Sequence, residues 1–456
     1  MTKSLFSEFN DVSAKQWKQK IQFDLQGADY NQLIWKSNEG IDVKPFYHAD
    51  DFEALPKITD TKASNWNICQ SIFVAHVEKS NTAAINAIQR GADSIQFVLP
   101  SIDISVEELL NNIDVTTVSV HFKPLFLSEE FVKKTLQFSK NIHIETDVIR
   151  HLAKTGNWYK SLNHDFKQFE SIVKNTQSFS VDMSLYQNAG ANIVQQLAYG
   201  LAHANEYLNQ LHQKDFSENE FWKEIEIKFN ISIGTNYFFE IAKLRALRKL
   251  WQTLAVEYNA NPNCRIFAVP SKRNKTLYDN HNNMLRTTTE CMSAILGGAN
   301  TICNVPFDSM FKKTNIFSER IARNQLLILR HESYFNVVDN PADGSYYIET
   351  ITDQLAEKAL VLFKDIESQG GFLKQLKNGT IQKKIKQSAT KEQEQFNNKE
   401  VILVGTNKQQ NPDDRMKSEL ELYPFVKTKP RKTLIEPIIE KRLAESVEQN
   451  RLKKEQ

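Results

Sequence analysis

The sequence predicts an α/β protein built as a (β/α)8 TIM barrel, with an N-terminal arm and a C-terminal helical extension. Three observations carry that expectation. Between about residues 70 and 345, eight short apolar or β-branched runs alternate with helical stretches, a pattern that implies parallel strands joined by helical crossovers. The span agrees with the roughly 250 residues such barrels occupy. An open doubly wound sheet usually places a Gly-rich phosphate loop after its first strand, whereas residues 76–80 (HVEKS) contain no glycine.

In chain order the expected strands are 71–76 (SIFVAH), 94–99 (SIQFVL), 116–122 (TTVSVHF), 141–145 (NIHIE), 179–185, 226–233 (EIKFNISI), 265–269 (RIFAV) and 301–305 (TICNV). Apolar residues at helical spacing predict helices over 81–91, 106–112, 128–139, 164–175, 191–213, 237–258, 281–296 and 318–332. In the fifth unit, Met183, Ser184, Leu185 and Tyr186 end the strand, a turn follows at 188–190, and Ile193, Val194, Leu197, Leu201 and Leu208 stripe the helix.

Residues 1–62 form the arm, with an amphipathic helix near 13–26 and an irregular stretch, WKSNEGIDVKPFY, broken at Pro45. Its Trp17, Phe23, Trp35, Phe46 and Tyr47 need a surface to cover, either the barrel or another subunit. The barrel with its trailing helices at 353–368 and 373–389 is expected over 63–395. Beyond it, over 396–456, come a short strand (400–405), a polar, Pro-broken linker (406–433) and a last helix (434–451) with Leu434, Ile435, Ile438, Ile439 and Leu443 on one face.

The chain has 456 residues, 41% hydrophobic and 25% charged, with a formal net charge of +2. That balance, with no basic stripe interleaved with aromatics, gives no electrostatic reason to expect nucleic-acid binding. Cys69, Cys264, Cys291 and Cys303 lack C-x-x-C spacing and read as reduced, buried thiols. No apolar h-region follows the N-terminus and no run of about 18 apolar residues spans a membrane, so a cytoplasmic location is expected.

Candidate chemistry is thin. Strand ends offer His76, His121, Glu145, Asp147 and Asp308, which no metal or protease spacing groups together; Asp308 suits a helix cap. Arg245 reads either as a structural ion-pair member near Glu240 or as a contact for an anionic ligand. Gly234 and the pair Gly297 and Gly298 suit tight turns. His281, in DNHNNM, falls one residue short of D-x-H-x-x-G, a pattern in which a histidine coordinates cobalt; Met284 stands at the glycine position.

Several blocks in order, FNDVSAKQW, WKSNEGIDVKPFY, YQNAGANIVQQLAYGLA, FFEIAKLRALRKLW, NNMLRTTTECMSAILGGANTI, SERIARNQLLILRHES and DNPADGSYYIETITDQLAEKA, resemble the methylmalonyl-CoA mutase family. The resemblance implies a barrel of the kind that binds an acyl-CoA thioester there, while a separate C-terminal domain binds adenosylcobalamin. Where catalytic members carry a histidine two positions before the glutamine matching Gln187, this sequence has Leu185. The arginine- and tyrosine-bearing entrance segment has no counterpart between Tyr47 and Ser71, and no cobalamin-binding domain follows LIEPIIEKRLAE.

These losses imply a small, non-catalytic subunit that pairs with a catalytic large subunit holding the adenosylcobalamin; whether acyl-CoA still binds this barrel is left open. An active acyl-CoA mutase barrel that borrows a cobalamin-binding chain, and an unrelated barrel enzyme, are the alternatives. No catalytic, cofactor-binding or metal residue is expected in this chain. Tyr186, Gln187, Arg245, Asn283 and Arg286 are the candidate pocket residues, because they fall in the resembling blocks near strand ends or helix starts.

Overall fold

Period-2 alternation builds the barrel wall. The computed structural model describes residues 7–54, 56, 61–139, 142–212, 219–427 and 430–455. Its parallel strands are β1 (Asn67–Phe73), β2 (Ser94–Leu99), β3 (Ser119–Pro124), β4 (Ile142–Ile144), β5 (Ser178–Asp182), β6 (Glu226–Ile233), β7 (Cys264–Pro270) and β8 (Thr301–Cys303). Consecutive strands are neighbours, and β8 returns to pair with β1 in parallel. Among the described residues only the β4/β5 seam lacks a ladder. It is bridged instead by Asp182 N donating to Asp147 Oδ2 at 2.7 Å and Ser180 Oγ donating to Thr146 O at 3.2 Å. The molecule is therefore the expected (β/α)8 barrel.

Along β6, Ile227 and Phe229 are buried against the helical layer, with Phe229 edge-on to Trp251 at 5.8 Å. Lys228 and Asn230 alternate with them and point into the lumen, where both meet Glu145. Capping side chains fix the helix starts. Ser128 Oγ accepts from Phe131 N, Ser161 Oγ from His164 N, and Asn315 Oδ1 from Ser318 N.

Several expected boundaries move. The first strand starts at Asn67, because polar Asn67 and Gln70 hide its onset, and the fifth ends at Asp182, with Ser184–Asn188 a short helix. A helix over Val148–Thr155, absent from the sequence reading, is only eight residues long; Asp147 caps its start and left-handed Gly156 ends it. Another unexpected helix lies at Asn219–Glu224. The helix expected over 373–389 is two, Phe372–Lys377 and Thr380–Asn397, separated at left-handed Gly379. Part of the strand expected over 141–145 lies outside the described residues.

The C-terminal region differs most. Residues 400–405 form no strand, only a single bridge from Val404 to Lys408. Residues 406–427 do not behave as a free linker, since Met416 is buried beside Leu277, Tyr278 and Phe311. The last helix covers only Glu445–Leu452. Before it, the chain runs as a strap whose backbone bonds the barrel, and Pro437 in its middle cannot supply a helical N–H. The expected stripe is split accordingly: Ile435, Ile438 and Leu443 are buried, Leu434 and Ile439 exposed.

The arm divides in the same manner. Its helix, Ala14–Asp24, opens with a capping box between Ser13 and Gln16 and buries none of its residues. Trp35 packs edge-on to Phe239 at 5.5 Å and Tyr47 lies against Tyr347 at 5.5 Å. Trp17 meets Phe46 at 5.8 Å yet stays 52% exposed, and Phe23 is 79% exposed.

Candidate functional site

The C-terminal strand ends surround a cavity of about 630 Å³ inside the barrel. Gln96, Lys123, Asp182 and Asn230 line it from inward-facing strand positions, and Glu145 and Lys228 join this wall from within the lumen. Glu145, just past β4, accepts from Gln96 Nε2 at 2.8 Å, Lys228 Nζ at 2.9 Å and Asn230 Nδ2 at 3.1 Å. Asp182, ending β5, pairs with Lys123 Nζ at 3.0 Å and Arg150 Nε at 2.7 Å. Burial would raise both carboxyls, but the adjacent cations overcome it: Lys228 and Lys123 lower Glu145, and Arg150 with Lys123 hold Asp182 far below the usual range.

The lumen histidines are neutral. Register places His121 opposite His143, so their rings stack at 4.9 Å. Burial and then the Lys228 ammonium push His121 well below its ordinary value, and burial brings His143 down to about 4. A neutral His121 accepts from Lys228 Nζ at 3.1 Å through Nδ1. Cys69 and Cys303, Cα partners across β1 and β8, line the opposite wall; all four cysteines are free and buried, as expected.

The expected pocket residues are not on this cavity. Tyr186 is wholly buried, and its hydroxyl bonds His203 Nδ1 at 2.9 Å; His203 Nε2 is 2.9 Å from Asp147 Oδ1. The series has the order of a catalytic relay, but Tyr186 and His203 are sealed in the core behind the barrel, where no substrate reaches. Gln187 accepts from the ammonium of wholly buried Lys243 at 3.0 Å and borders a smaller cavity of about 260 Å³. Arg245 forks onto Glu349 at 2.7 Å and Asp343 at 2.9 Å, so its partners are these rather than Glu240. Asn283 bonds Thr276 and Phe307 backbone oxygens, and Arg286 binds Thr276, Asn283 and the Val404 carbonyl. Each was drawn from a resembling block, and each holds elements together.

Of the strand-end set, Glu145 lies in the lumen and Asp147 caps the Val148–Thr155 helix. His76 is exposed and makes no side-chain cap bond. Asp308 caps at one remove, accepting from Asn315 Nδ2 at 2.9 Å while Asn315 caps the following helix. Leu185 is wholly buried in the hydrophobic core.

Sequence reasoning missed Lys123, Arg150, Asp182, Lys228 and Lys272. The signal was available in β6, where Lys228, Asn230 and Ser232 recur every second residue inside an apolar run. What results is a cavity whose lining carboxylate Asp182 is held by Lys123 and Arg150, better equipped to hold a charged group than to exchange protons.

A sequence model of the family described as methylmalonyl-CoA mutase matches residues 134–454. The chain is 35% identical over 444 residues to the methylmalonyl-CoA mutase small subunit of Porphyromonas gingivalis, covering 88% of this chain and 70% of that one. It is 28% identical over 426 residues to the small subunit of Streptomyces virginiae, covering 84% and 68%. Against the methylmalonyl-CoA mutase of Rhizobium meliloti it is 28% identical over 462 residues, and spans 64% of that protein's length.

Proposed function

Because this chain belongs to the methylmalonyl-CoA mutase family, we propose that it is the small, non-catalytic subunit of a heterodimeric mutase, stabilising a large subunit that interconverts methylmalonyl-CoA and succinyl-CoA. The observation that carries this reading is Leu185. At the position where the resemblance puts a histidine for the thioester carbonyl, a leucine lies in the apolar core, unable to donate a hydrogen bond. Loss of one such donor costs on the order of 10²-fold or more in rate, by analogy with oxyanion holes.

Adenosylcobalamin, the cofactor the resemblance implies, does not fit the residues present. His281 immediately precedes the helix Asn282–Leu296 within the barrel, its ring tilted on Phe307 at 5.2 Å. At the glycine position of the cobalt-binding pattern, Met284 gives its carbonyl to Gln325 Nε2 at 2.6 Å. No step of the reaction is assigned to this chain, and the cofactor is placed in the partner subunit. The exposed Phe9, Trp17 and Phe23 of the arm supply apolar area for that partner. None of the described helices is long and apolar enough to cross a membrane, which accords with a cytoplasmic complex.

A second reading, an acyl-CoA mutase barrel that borrows a cobalamin-binding chain, is favoured by the open lumen cavity. One assay separates the two: isomerisation of methylmalonyl-CoA by the purified chain with adenosylcobalamin, alone, with a cobalamin-binding chain, and with the large subunit. Turnover is expected only with the large subunit.

A further inference from the structure

The strap before the last helix brings a carboxylate to the mouth of the lumen cavity. Leu434 N and Ile435 N donate to Gly156 O, Ile438 N to Ala153 O at 2.7 Å, Lys441 N to Asn188 O at 3.0 Å and Leu443 N to Arg273 O at 2.9 Å. Glu440 is thereby held on the cavity wall, with Oε2 3.0 Å from Lys154 Nζ and Oε1 3.4 Å from Asn188 Nδ2.

The mouth has more cation than the barrel itself answers. Lys123 and Arg150 share Asp182, and Glu145, 3.6 Å from Lys123, is also engaged by Lys228. Lys154 has only Glu440, and Lys272 has no carboxylate at ion-pair distance among the described residues. Desolvation at the cavity wall pushes the Lys272 ammonium below its ordinary value, Glu440 is the main group opposing that shift, and Lys154, Lys123 and Arg150 add to it. Lys272 is nonetheless exposed, and its side chain borders the cavity. The balancing anion thus arrives on a separable segment, tied down by backbone bonds and the buried Ile435, Ile438 and Leu443 rather than by membership of the barrel.

We propose that this mouth is an anion-binding site for the carboxylate or phosphate group of a small organic ligand, with Lys154, Lys272 and Asn188 as donors, and that Glu440 is the stand-in such a ligand displaces. The site does not depend on whether the chain is catalytic. Displacing a tethered carboxylate taxes the ligand's apparent affinity, and removing that carboxylate lifts the tax.

The test is calorimetric titration of the full chain at low ionic strength with inorganic phosphate and, separately, malonate. Glu440→Gln is expected to bind at least one of them about 10-fold or more tightly than the unsubstituted chain, and Glu440→Gln combined with Lys272→Gln is expected to lose that gain. A gain for phosphate alone assigns a phosphoryl ligand, and a gain for malonate alone a carboxylate. Hydrogen exchange on the unsubstituted chain gives a reading independent of any variant's folding: the bound probe should speed exchange at the Lys441 and Leu443 amides. No gain with either probe, a gain that survives Lys272→Gln, or unchanged exchange at saturation would each overturn the proposal.

Discussion

Gln187 shows how a family motif can be retained for packing. Its amide oxygen is one of the acceptors that surround the wholly buried Lys243 Nζ, alongside Gln196 Oε1 at 3.1 Å, the Ser232 carbonyl at 2.8 Å and Glu240 Oε2 at 2.5 Å. Gly190, three residues on, has a φ of +99°, and a Cβ there would lie 2.5 Å from Ala389 Cβ, so the motif's glycine is demanded by both conformation and close approach. Arg245 has the same kind of role: its fork joins the Tyr237–Glu257 helix to Tyr346–Ser368. Arg245→Met leaves the buried Glu349 without its cation and is expected to cost about 3–5 kcal/mol in a denaturant titration. A cost under about 1 kcal/mol would show that the pair is not structural.

Burial and then the nearby Glu206 carboxylate push Glu367 up to about 7, against the hydrogen bond from Asn205. The unfolded chain releases this proton near the ordinary carboxyl value, whereas the folded chain keeps it until about pH 7. The folded state therefore binds more protons in that window, and stability falls as pH rises through it, levelling above about 7. Glu367→Gln should flatten that part of the profile in thermal melts taken across the range; an unchanged slope would remove Glu367 as its source.

Elements were legible in the sequence where one physical signal dominated. The spans 94–99 and 226–233 were read as they stand, because apolar runs bounded by turns leave little choice. The Val148–Thr155 helix and the strap were not legible, and for different reasons. The helix is short enough that its cap and its glycine are most of its signal. The strap shows an apolar stripe at helical spacing, yet Pro437 and the docking of Ile435 and Ile438 on the barrel favour an extended path. Gly156 is the hinge of that arrangement: its φ is +79°, its carbonyl receives Leu434 N and Ile435 N, and a Cβ would lie 2.7 Å from Ile435 O. Gly156→Ala is expected to destabilise the chain by roughly 1–2 kcal/mol and to raise hydrogen exchange at the Leu434, Ile435 and Ile438 amides before the barrel strands. Uniform exchange across strap and barrel would mean that the strap is not a separable element.

At the scale of the whole molecule, fold and family were both carried by the sequence, through alternation for the one and ordered blocks for the other. The lumen was not, because its polar residues come from separate strands that only barrel closure brings together. Glu145 on the way out of β4, Lys228 on β6 and Gln96 on β2 are neighbours in space and far apart in sequence. The candidate residues taken from the resembling blocks lie in helix packing: long blocks mark what must fit the rest of the fold, and these five residues fit helices and loops outside the lumen cavity. The N-terminal arm, with Phe9 73% exposed and Phe23 79% exposed, leaves apolar surface that its own barrel does not cover.

A non-catalytic subunit is distinguished from an active one by the conversion of methylmalonyl-CoA to succinyl-CoA with saturating adenosylcobalamin. No turnover above background is expected from this chain alone or with a separate cobalamin-binding chain, and turnover is expected when the large subunit is added. Turnover by this chain with the cobalamin-binding chain and no large subunit would contradict the non-catalytic role.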